Sequence, residues 1–268
     1  KKLILENGID TNPENLIVTP GAKQAAMIAL MAILEPYDEV INFTPSYVSY
    51  VPQIKIAEPT SKIHNIDISR DDFSIDWDKV RNTVNSKTKV IIINSPNNPT
   101  GKMLCQEDML QLTQIVHRYK CYVLSDEVYE KLVVGTIKHI SLGSFSKIQN
   151  QVITVNGFSK SFSMTGWRIG YVNARLETMK KMDKLQQHIN TNTATFIQKG
   201  ACEAFKIGGE FWNRCNADLK RKVLYIENNL ATNPNIGVIP PDGGLFAFLN
   251  IKRTGLNSDA FATQLLEV

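Results

Sequence analysis

The sequence predicts an α/β protein with a mostly parallel, doubly wound sheet flanked by helices. Short apolar runs rich in β-branched residues alternate with helical patterns along the chain, and this repetition is typical of parallel sheets. The best runs are continuously apolar, as expected for strands covered on both faces. A length of 268 residues fits one large α/β unit or two smaller domains.

The predicted strands are short and bounded by polar or turn-forming residues. In chain order they span residues 39–42, 89–94, 121–125, 152–156, 168–172 and 245–249. The runs at 89–94, 121–125 and 152–156 are the clearest. The run at 245–249 follows Pro-Pro-Asp-Gly-Gly at 240–244, which is a strong turn signal.

Helical patterns lie between these strands. Apolar residues at helical spacing predict one helix over 106–119 and a longer one over about 210–230. Another helix opens after Thr19-Pro-Gly21, and a last one opens after Asn257, a plausible cap.

The chain is expected to divide near residues 230–240. We assign residues 1–232 to a large domain and residues 233–268 to the beginning of a smaller α+β domain. The chain starts at Lys1 without a methionine and stops at Val268 inside a predicted helix. We therefore expect a piece of a longer protein, truncated in both domains.

Composition excludes several classes of protein. The net charge of +4 is small and scattered, so no nucleic-acid partner is expected. No apolar run reaches the roughly 18 to 20 residues that a bilayer crossing needs. The four cysteines form no CxxC and do not cluster with the four histidines, so we expect neither a metal site nor a disulfide scaffold, and the cytoplasm is the default compartment. Signatures of serine hydrolases, P-loop NTPases and dinucleotide-binding proteins are absent from the sequence.

The candidate site lies where three predicted strands end. Ligands of open parallel sheets bind beyond the carboxyl ends of the strands. Asn98 follows the first clear strand, Asp126 and Tyr129 follow the second, and Lys160 follows the third. Downstream, Arg168 adds a guanidinium.

These groups suit a pyridine cofactor that carries an aldehyde and a phosphate. A lysine amine can form a Schiff base with the aldehyde, and a carboxylate can keep the ring nitrogen protonated. The helix N-terminus at Gly21-Ala22-Lys23 and the guanidinium of Arg168 can hold the phosphate.

The chain resembles the pyridoxal-phosphate-dependent aminotransferases of the class I/II family, fold type I, and among them the bacterial and archaeal aspartate or aromatic aminotransferases. Five motifs carry the resemblance, in the family's order along the chain: Val18–Lys23, Thr44–Tyr50, Asn94–Gly101, Ser125–Tyr129 and Asn156–Gly170. Each is weak alone, and together they are specific.

The resemblance implies a role for each matching residue. Lys160 would bind the cofactor as a Schiff base and shuttle the proton, and Asp126 would pair with the pyridine nitrogen. Tyr129 and Asn98 would hydrogen-bond the phenolic oxygen of the ring, with a cis Asn98–Pro99 bond aiming the amide. The remaining positions are Tyr47, which would stack on the ring, and Gly21, Ala22, Lys23 and Arg168, which would hold the phosphate.

The chain departs from the family pattern in two respects. Some relatives carry a phosphate-binding serine at the position of Gly157, and here Ser159 would substitute. The arginine that binds the substrate carboxylate is expected outside this chain. The resemblance also implies a homodimer.

Several of these residues also have an alternative, purely structural interpretation. Phe-Ser-Lys occurs at 145–147 as well as at 158–160, so Lys147 is a rival for Lys160. Asp126 and Asn98 are also common turn and cap residues, and Tyr47 and Tyr50 could both be packing aromatics.

The predicted activity is amino transfer from an amino acid to a 2-oxo acid in two half-reactions. The same residues would also serve a C–S β-lyase or an enzyme like aminocyclopropane-carboxylate synthase. A third hypothesis is a non-enzymatic regulatory domain that resembles an aminotransferase.

Overall fold

A computed structural model of the chain describes residues 1–135 and 138–267. The strands are β1 (Leu16–Thr19), β2 (Glu39–Thr44), β3 (Lys62–Asp67), β4 (Thr88–Asn94), β5 (Tyr122–Asp126), β6 (Val152–Gly157), β7 (Gly170–Asn173), β8 (Gly237–Val238) and β9 (Leu249–Asn250). The α-helices are α1 (Lys2–Leu5), α2 (Ala22–Ile33), α3 (Tyr50–Ala57), α4 (Trp77–Thr83), α5 (Gln106–Tyr119), α6 (Leu176–Asn190), α7 (Thr195–Ala204), α8 (Gly209–Leu230) and α9 (Ser258–Leu266).

Strands β1 to β7 form one sheet in the order β1-β7-β6-β5-β4-β2-β3. Strands β2 to β6 pair in parallel, whereas β7 runs antiparallel to both β1 and β6. The predicted mostly parallel, doubly wound α/β fold is therefore confirmed.

Helices cover both faces of this sheet. On β4, Val90 and Ile92 belong to a core with α2 and α6, whereas Ile91 and Ile93 belong to a second core with α4 and α5. Because successive strand residues point to opposite faces, a strand packed on both sides is apolar throughout. This explains the continuous apolar runs of the sequence.

Two strands of the large sheet have no counterpart among the predicted ones, and neither does the short β8. Strand β3 lies at the edge of the sheet, where Lys62, Asn65 and Asp67 are exposed and Ile66 is its one buried residue. Strand β1 lies at the other edge. The strand predicted at 168–172 is β7, and it begins two residues later because Arg168 adopts a left-handed backbone with φ of 49°.

The prediction of a strand at 245–249 is wrong. Residues 245–248 form no strand, and the short β9 begins only at Leu249. The apolar side chains there pack on loops of the large sheet: the Phe246 ring lies 6.0 Å from that of Tyr129, and the Phe248 ring lies 5.7 Å from that of Phe73. Their hydrophobicity serves these contacts rather than strand pairing.

The helices predicted at 106–119 and 210–230 are present as α5 and α8. Helix α9 begins after Asn257, whose side chain accepts a hydrogen bond from the amide of Ala260. Val268, on which that prediction ended, lies outside the described residues. Across the described ranges, no helix combines the length and apolarity needed to cross a membrane.

Candidate active site

The carboxyl ends of β4, β5 and β6 bring the predicted site residues together. Asn94 and Asp126 are paired in register as the last residues of β4 and β5. The Asn94 side chain donates to the Asp126 carbonyl at 3.0 Å and accepts from the Asn98 amide at 2.6 Å. Asn94 thereby holds the loop that carries Asn98 against the end of β5.

A cavity of about 300 Å³ opens at this edge. Nine of the ten predicted site residues line it: Ala22, Lys23, Tyr47, Asn98, Asp126, Tyr129, Ser159, Lys160 and Arg168. The tenth, Gly21, lies directly behind Arg168.

Asp126 is a buried carboxylate with a donor on each oxygen. Its Oδ1 accepts from the Val128 amide at 3.2 Å, and its Oδ2 accepts from the Tyr50 hydroxyl at 2.8 Å. Burial raises the pKa of Asp126, and these two hydrogen bonds act in the opposite direction. A cation at the cavity face of Asp126 would find a carboxylate already positioned to receive it.

Tyr129 and Asn98 face each other across the cavity wall. The Asn98 Nδ2 atom lies 3.5 Å from the Tyr129 hydroxyl oxygen, and the Asn98–Pro99 bond is cis. Burial and the neighbouring Asp126 carboxylate raise the pKa of Tyr129 to about 12. The phenol is therefore a donor at neutral pH, and both groups can donate to one oxygen placed between them.

Gly21, Ala22, Lys23 and Arg168 form the end of the cavity at the start of α2. Gly21 has a φ of 88°, and a Cβ built there would lie 2.8 Å from Arg168 Nη2. The guanidinium also donates to the Thr165 carbonyl at 2.9 Å. Free amides at a helix start and a fixed guanidinium together suit a phosphate.

Lys160 lies in the turn that follows β6, and Ser159 lies beside it on the cavity wall. The rival Lys147 lies elsewhere, beside Leu110 and His117 of α5. A Cβ at Gly157 would contact the Ala22 side chain at 3.5 Å. Of the two lysines that follow a Phe-Ser pair, Lys160 is thus the one that shares the cavity with Asp126.

Tyr47 lines the cavity beside the ring of Tyr50. The two rings meet edge to face with centroids 5.4 Å apart, and the Lys23 ammonium lies 5.6 Å from the Tyr47 centroid. The ammonium of Lys23 therefore contacts an aromatic face.

Several lining residues were not assigned a site role from the sequence. Asn94 stood at a strand end, which was a usable signal, whereas Tyr50 was treated only as packing. Phe246 and Thr165 also line the cavity. Nothing in the local sequence around Phe246 indicates that it reaches a cavity formed by the large sheet.

The residues present fit pyridoxal phosphate. The cavity offers an amine, a buried carboxylate, two donors for one oxygen, and a cradle at Gly21 that a Cβ would fill. Each feature corresponds to one functional group of that cofactor: the aldehyde, the ring nitrogen, the phenolic oxygen and the phosphate.

Comparison with known proteins agrees with this reading. The family described as "Aminotransferase class I and II" matches residues 1–268. An aspartate aminotransferase of Bacillus subtilis is 33% identical over 273 residues, covering 100% of this chain and 69% of the relative. An aspartate aminotransferase of Pyrococcus abyssi is 35% identical, covering 99% and 69%. The crystal structure of an aromatic aminotransferase from Pyrococcus horikoshii superposes with a TM-score of 0.92 at 34% identity, covering 99% of this chain and 71% of that one.

Proposed function

Because this chain belongs to the class I and II aminotransferases, and is thus a pyridoxal-phosphate-dependent transaminase of fold type I, we propose that the cavity at the ends of β4, β5 and β6 is its active site. Lys160, Asp126 and Tyr129 are the proposed catalytic residues. The proposed cofactor-binding set adds Gly21, Ala22, Lys23, Tyr47, Asn98, Ser159 and Arg168.

One observation supports this assignment above the others. Asn98 follows β4, Asp126 ends β5, and Lys160 and Arg168 lie in the segment after β6, yet these residues line one cavity together with Tyr129. Surface lysines and cap aspartates have no physical reason to converge in this way. The plainer readings of these residues explain each one separately and not their juxtaposition.

The proposed chemistry divides among the chain's own groups. When bound, pyridoxal phosphate supplies an electron-withdrawing ring that stabilises negative charge on the substrate α-carbon. Lys160 Nζ takes the α-proton of the amino acid as general base and later returns it. Asp126 holds the ring nitrogen, and Tyr129 and Asn98 donate to the ring oxygen.

The substrates are an amino acid and a 2-oxo acid, and we propose an aspartate, aromatic or broad specificity. The relatives named above are aspartate and aromatic aminotransferases.

We propose a homodimer in the cytoplasm. Apolar side chains near the cavity mouth and on α7 are exposed, with Val48 at 81% and Phe196 at 74%, and a partner subunit would cover such positions. The four cysteines are all free thiols, as in reducing compartments. Sedimentation of the purified chain tests the first part: a monomer at all concentrations would contradict it.

The Lys160→Ala variant tests the assignment of the amine. We expect it to lose amino transfer and the absorbance of the bound cofactor, and borohydride reduction of the wild type to label the peptide that contains Lys160. Lys147→Ala is the matched control, since it removes the other lysine of a Phe-Ser-Lys sequence, and it should keep both. Normal turnover by Lys160→Ala would overturn the proposal.

A panel of amino donors with 2-oxoglutarate tests the reaction type. Transfer yields a new amino acid and the 2-oxo acid of the donor in equal amounts. Release of pyruvate and ammonia from sulfur-containing donors, without any 2-oxo acid acceptor, would indicate elimination instead. No turnover by a protein that binds the cofactor would favour the regulatory hypothesis.

A further inference from the structure

Tyr50 lines the cavity as the first residue of α3 and is 2% exposed. Its hydroxyl donates to Asp126 Oδ2 at 2.8 Å across 76 positions of sequence. The chain thus places a phenol on one carboxylate oxygen of Asp126, while the Val128 amide donates to the other.

The ring and the hydroxyl of Tyr50 serve separable purposes. The ring packs edge to face on Tyr47 and belongs to the core shared by α2 and α3, and a phenylalanine would pack equally well. The hydroxyl makes its hydrogen bond to Asp126. Packing alone therefore does not explain why this aromatic carries a hydroxyl.

Asp126 needs such a donor because it is buried. Removing a carboxylate from water disfavours its ionised form, and hydrogen bonds donated to the carboxylate favour that form again. The Val128 amide supplies one donor, and at 3.2 Å it is longer than the bond from Tyr50 at 2.8 Å. Tyr50 is thus the closer of the two donors.

We propose that Tyr50 is a positioning residue of the active site, whose hydroxyl keeps Asp126 ionised and aimed at the ring nitrogen of the cofactor. The proposal rests on the role proposed above for Asp126. If the carboxylate lost this donor, the proton shared between Asp126 and the ring nitrogen would shift towards Asp126. The ring would then withdraw electrons less strongly, and the α-proton would leave more slowly.

Other groups around Asp126 do not replace Tyr50. Tyr47, Tyr129 and Lys160 line the same cavity, but the side-chain hydrogen bond to the carboxylate comes from Tyr50. Burial and the adjacent Asp126 raise the pKa of Tyr50 well above its ordinary value of 10.0. The phenol therefore remains a donor throughout the working range of pH.

The test compares wild type with Tyr50→Phe, which removes only the hydroxyl. The first measurement needs no cofactor: the apoprotein is labelled with ¹³C at the aspartate carboxyl carbons, the Asp126 signal is assigned with Asp126→Asn, and its titration is followed. We expect the midpoint of Asp126 in Tyr50→Phe to lie about one pH unit above that of wild type, since a hydrogen bond to a charged group is lost.

Tyr171→Phe is the matched control, because Tyr171 is a buried tyrosine on β7, outside the cavity. It should leave the Asp126 midpoint unchanged. The second measurement is steady-state kinetics, in which Tyr50→Phe should lower kcat about tenfold and change the KM of the amino donor little.

The outcomes separate this inference from the proposed function. An unchanged Asp126 midpoint in a folded Tyr50→Phe protein would overturn the role of Tyr50, even if wild type binds the cofactor through Lys160. A wild type that binds no cofactor would instead overturn the active-site assignment. If Tyr50→Phe fails to fold, replacement of Tyr50 by a fluorinated tyrosine, which is more acidic and nearly isosteric, should lower the midpoint, and no shift would again refute the inference.

Discussion

Gly21 illustrates how one absent Cβ prepares the phosphate end of the cavity. Its φ of 88° is a backbone conformation that glycine adopts readily and other residues rarely do. The nearby Arg168 guanidinium leaves no room for a Cβ. The guanidinium can therefore lie against the backbone at the start of α2.

Gly21→Ala is expected to weaken cofactor binding about tenfold, or roughly 1.4 kcal/mol, because the new Cβ displaces the guanidinium. Fluorescence titration of the apoprotein with pyridoxal phosphate measures this. Gly166→Ala is the control, since Gly166 has open space around it, no positive φ and the same neighbourhood in sequence. Titration with pyridoxal, which lacks the phosphate, should show no difference between the two variants, and an equal loss for both ligands would contradict the assignment.

Asp126→Asn should lower kcat by about two to three orders of magnitude, as removal of one preorganised electrostatic partner does in other active sites. The amide cannot hold a protonated ring nitrogen by charge. Glu127→Gln provides the comparison, because this buried neighbour points to Ser125 and Ser141 and is not among the residues that line the cavity. Similar kcat values for the two variants would argue against a special role of Asp126.

The sequence predicts the candidate site residues that follow strands, but it does not predict the residues that hold them by hydrogen bonds. Asn98, Asp126 and Lys160 stand in recognisable motifs directly after apolar runs. The contact between Tyr50 and Asp126 depends on how α3 crosses the sheet, and a linear pattern does not contain that angle. The sequence therefore predicts which side chains meet at the strand ends better than it predicts the partners that hold them.

Among the elements, α1 is joined to the segment after β5 by a buried ion pair. Lys2 donates to Glu130, and Asn7 donates to the other oxygen of that carboxylate at 2.6 Å. Burial opposes ionisation of Glu130, but the Lys2 ammonium and the Asn7 amide outweigh it and hold the pKa below its ordinary value of 4.5.

Glu130→Gln should lower the free energy of unfolding at pH 7 by about 3 kcal/mol, because it leaves the Lys2 ammonium buried without its counterion. Since the pKa of Glu130 is lower in the folded state, its contribution is present above about pH 4.5 and is lost as the pH falls through the folded value. The free energies of unfolding of wild type and variant, measured in urea, should therefore converge below the folded pKa of Glu130. Glu6→Gln is the control, because it removes an ion pair with Lys131 that is more exposed than the pair of Lys2 and Glu130. It should lower the free energy of unfolding by less than about 1 kcal/mol at pH 7 and at low pH.

The sequence predicts the strands of the large sheet well where helices pack on both of their faces, and poorly at the edges of the sheet. The buried apolar residues of β4, β5 and β6 divide between a core with α2 and α6 on one face and a core with α4 and α5 on the other, so apolar residues stand next to each other in the sequence. Strand β3 at the edge exposes Lys62, Asn65 and Asp67 and buries Ile66, so its apolar signal in the sequence is weak. The apolar run at 245–249 led to the opposite error, a strand predicted where none forms. Phe246 and Phe248 there pack on Tyr129 and Phe73, which lie in loops far away in the sequence.

At the scale of the molecule, residues 240–244 connect the later part of the chain to the cavity. The Asp242 carboxylate accepts from the Met103 amide at 3.1 Å and from the Lys102 ammonium at 3.3 Å, and its backbone amide donates to Gly101 at 3.0 Å. We propose that this turn, with the domain boundary near residue 232, fixes the loop that carries Asn98.

Asp242→Asn should lower the melting temperature by about 2–4 °C, the shift expected when about 1 kcal/mol is lost from a protein of this size. It should also weaken cofactor binding, because the loop of Asn98 is less restrained. Calorimetry and titration measure the two effects. Asp218→Asn is the control, since Asp218 forms its ion pairs with the exposed side chains of Arg221 and Lys222 on α8, and it should change neither quantity.

The cavity draws on residues from position 22 to position 246, and this spread sets the order of events during biosynthesis. A nascent chain emerges from its amino end, so the cavity is not complete until Phe246 has left the ribosome. The newly made protein therefore passes through an empty form, and because bound ligand stabilises only the folded state, its resistance to cellular proteases depends on the supply of pyridoxal phosphate.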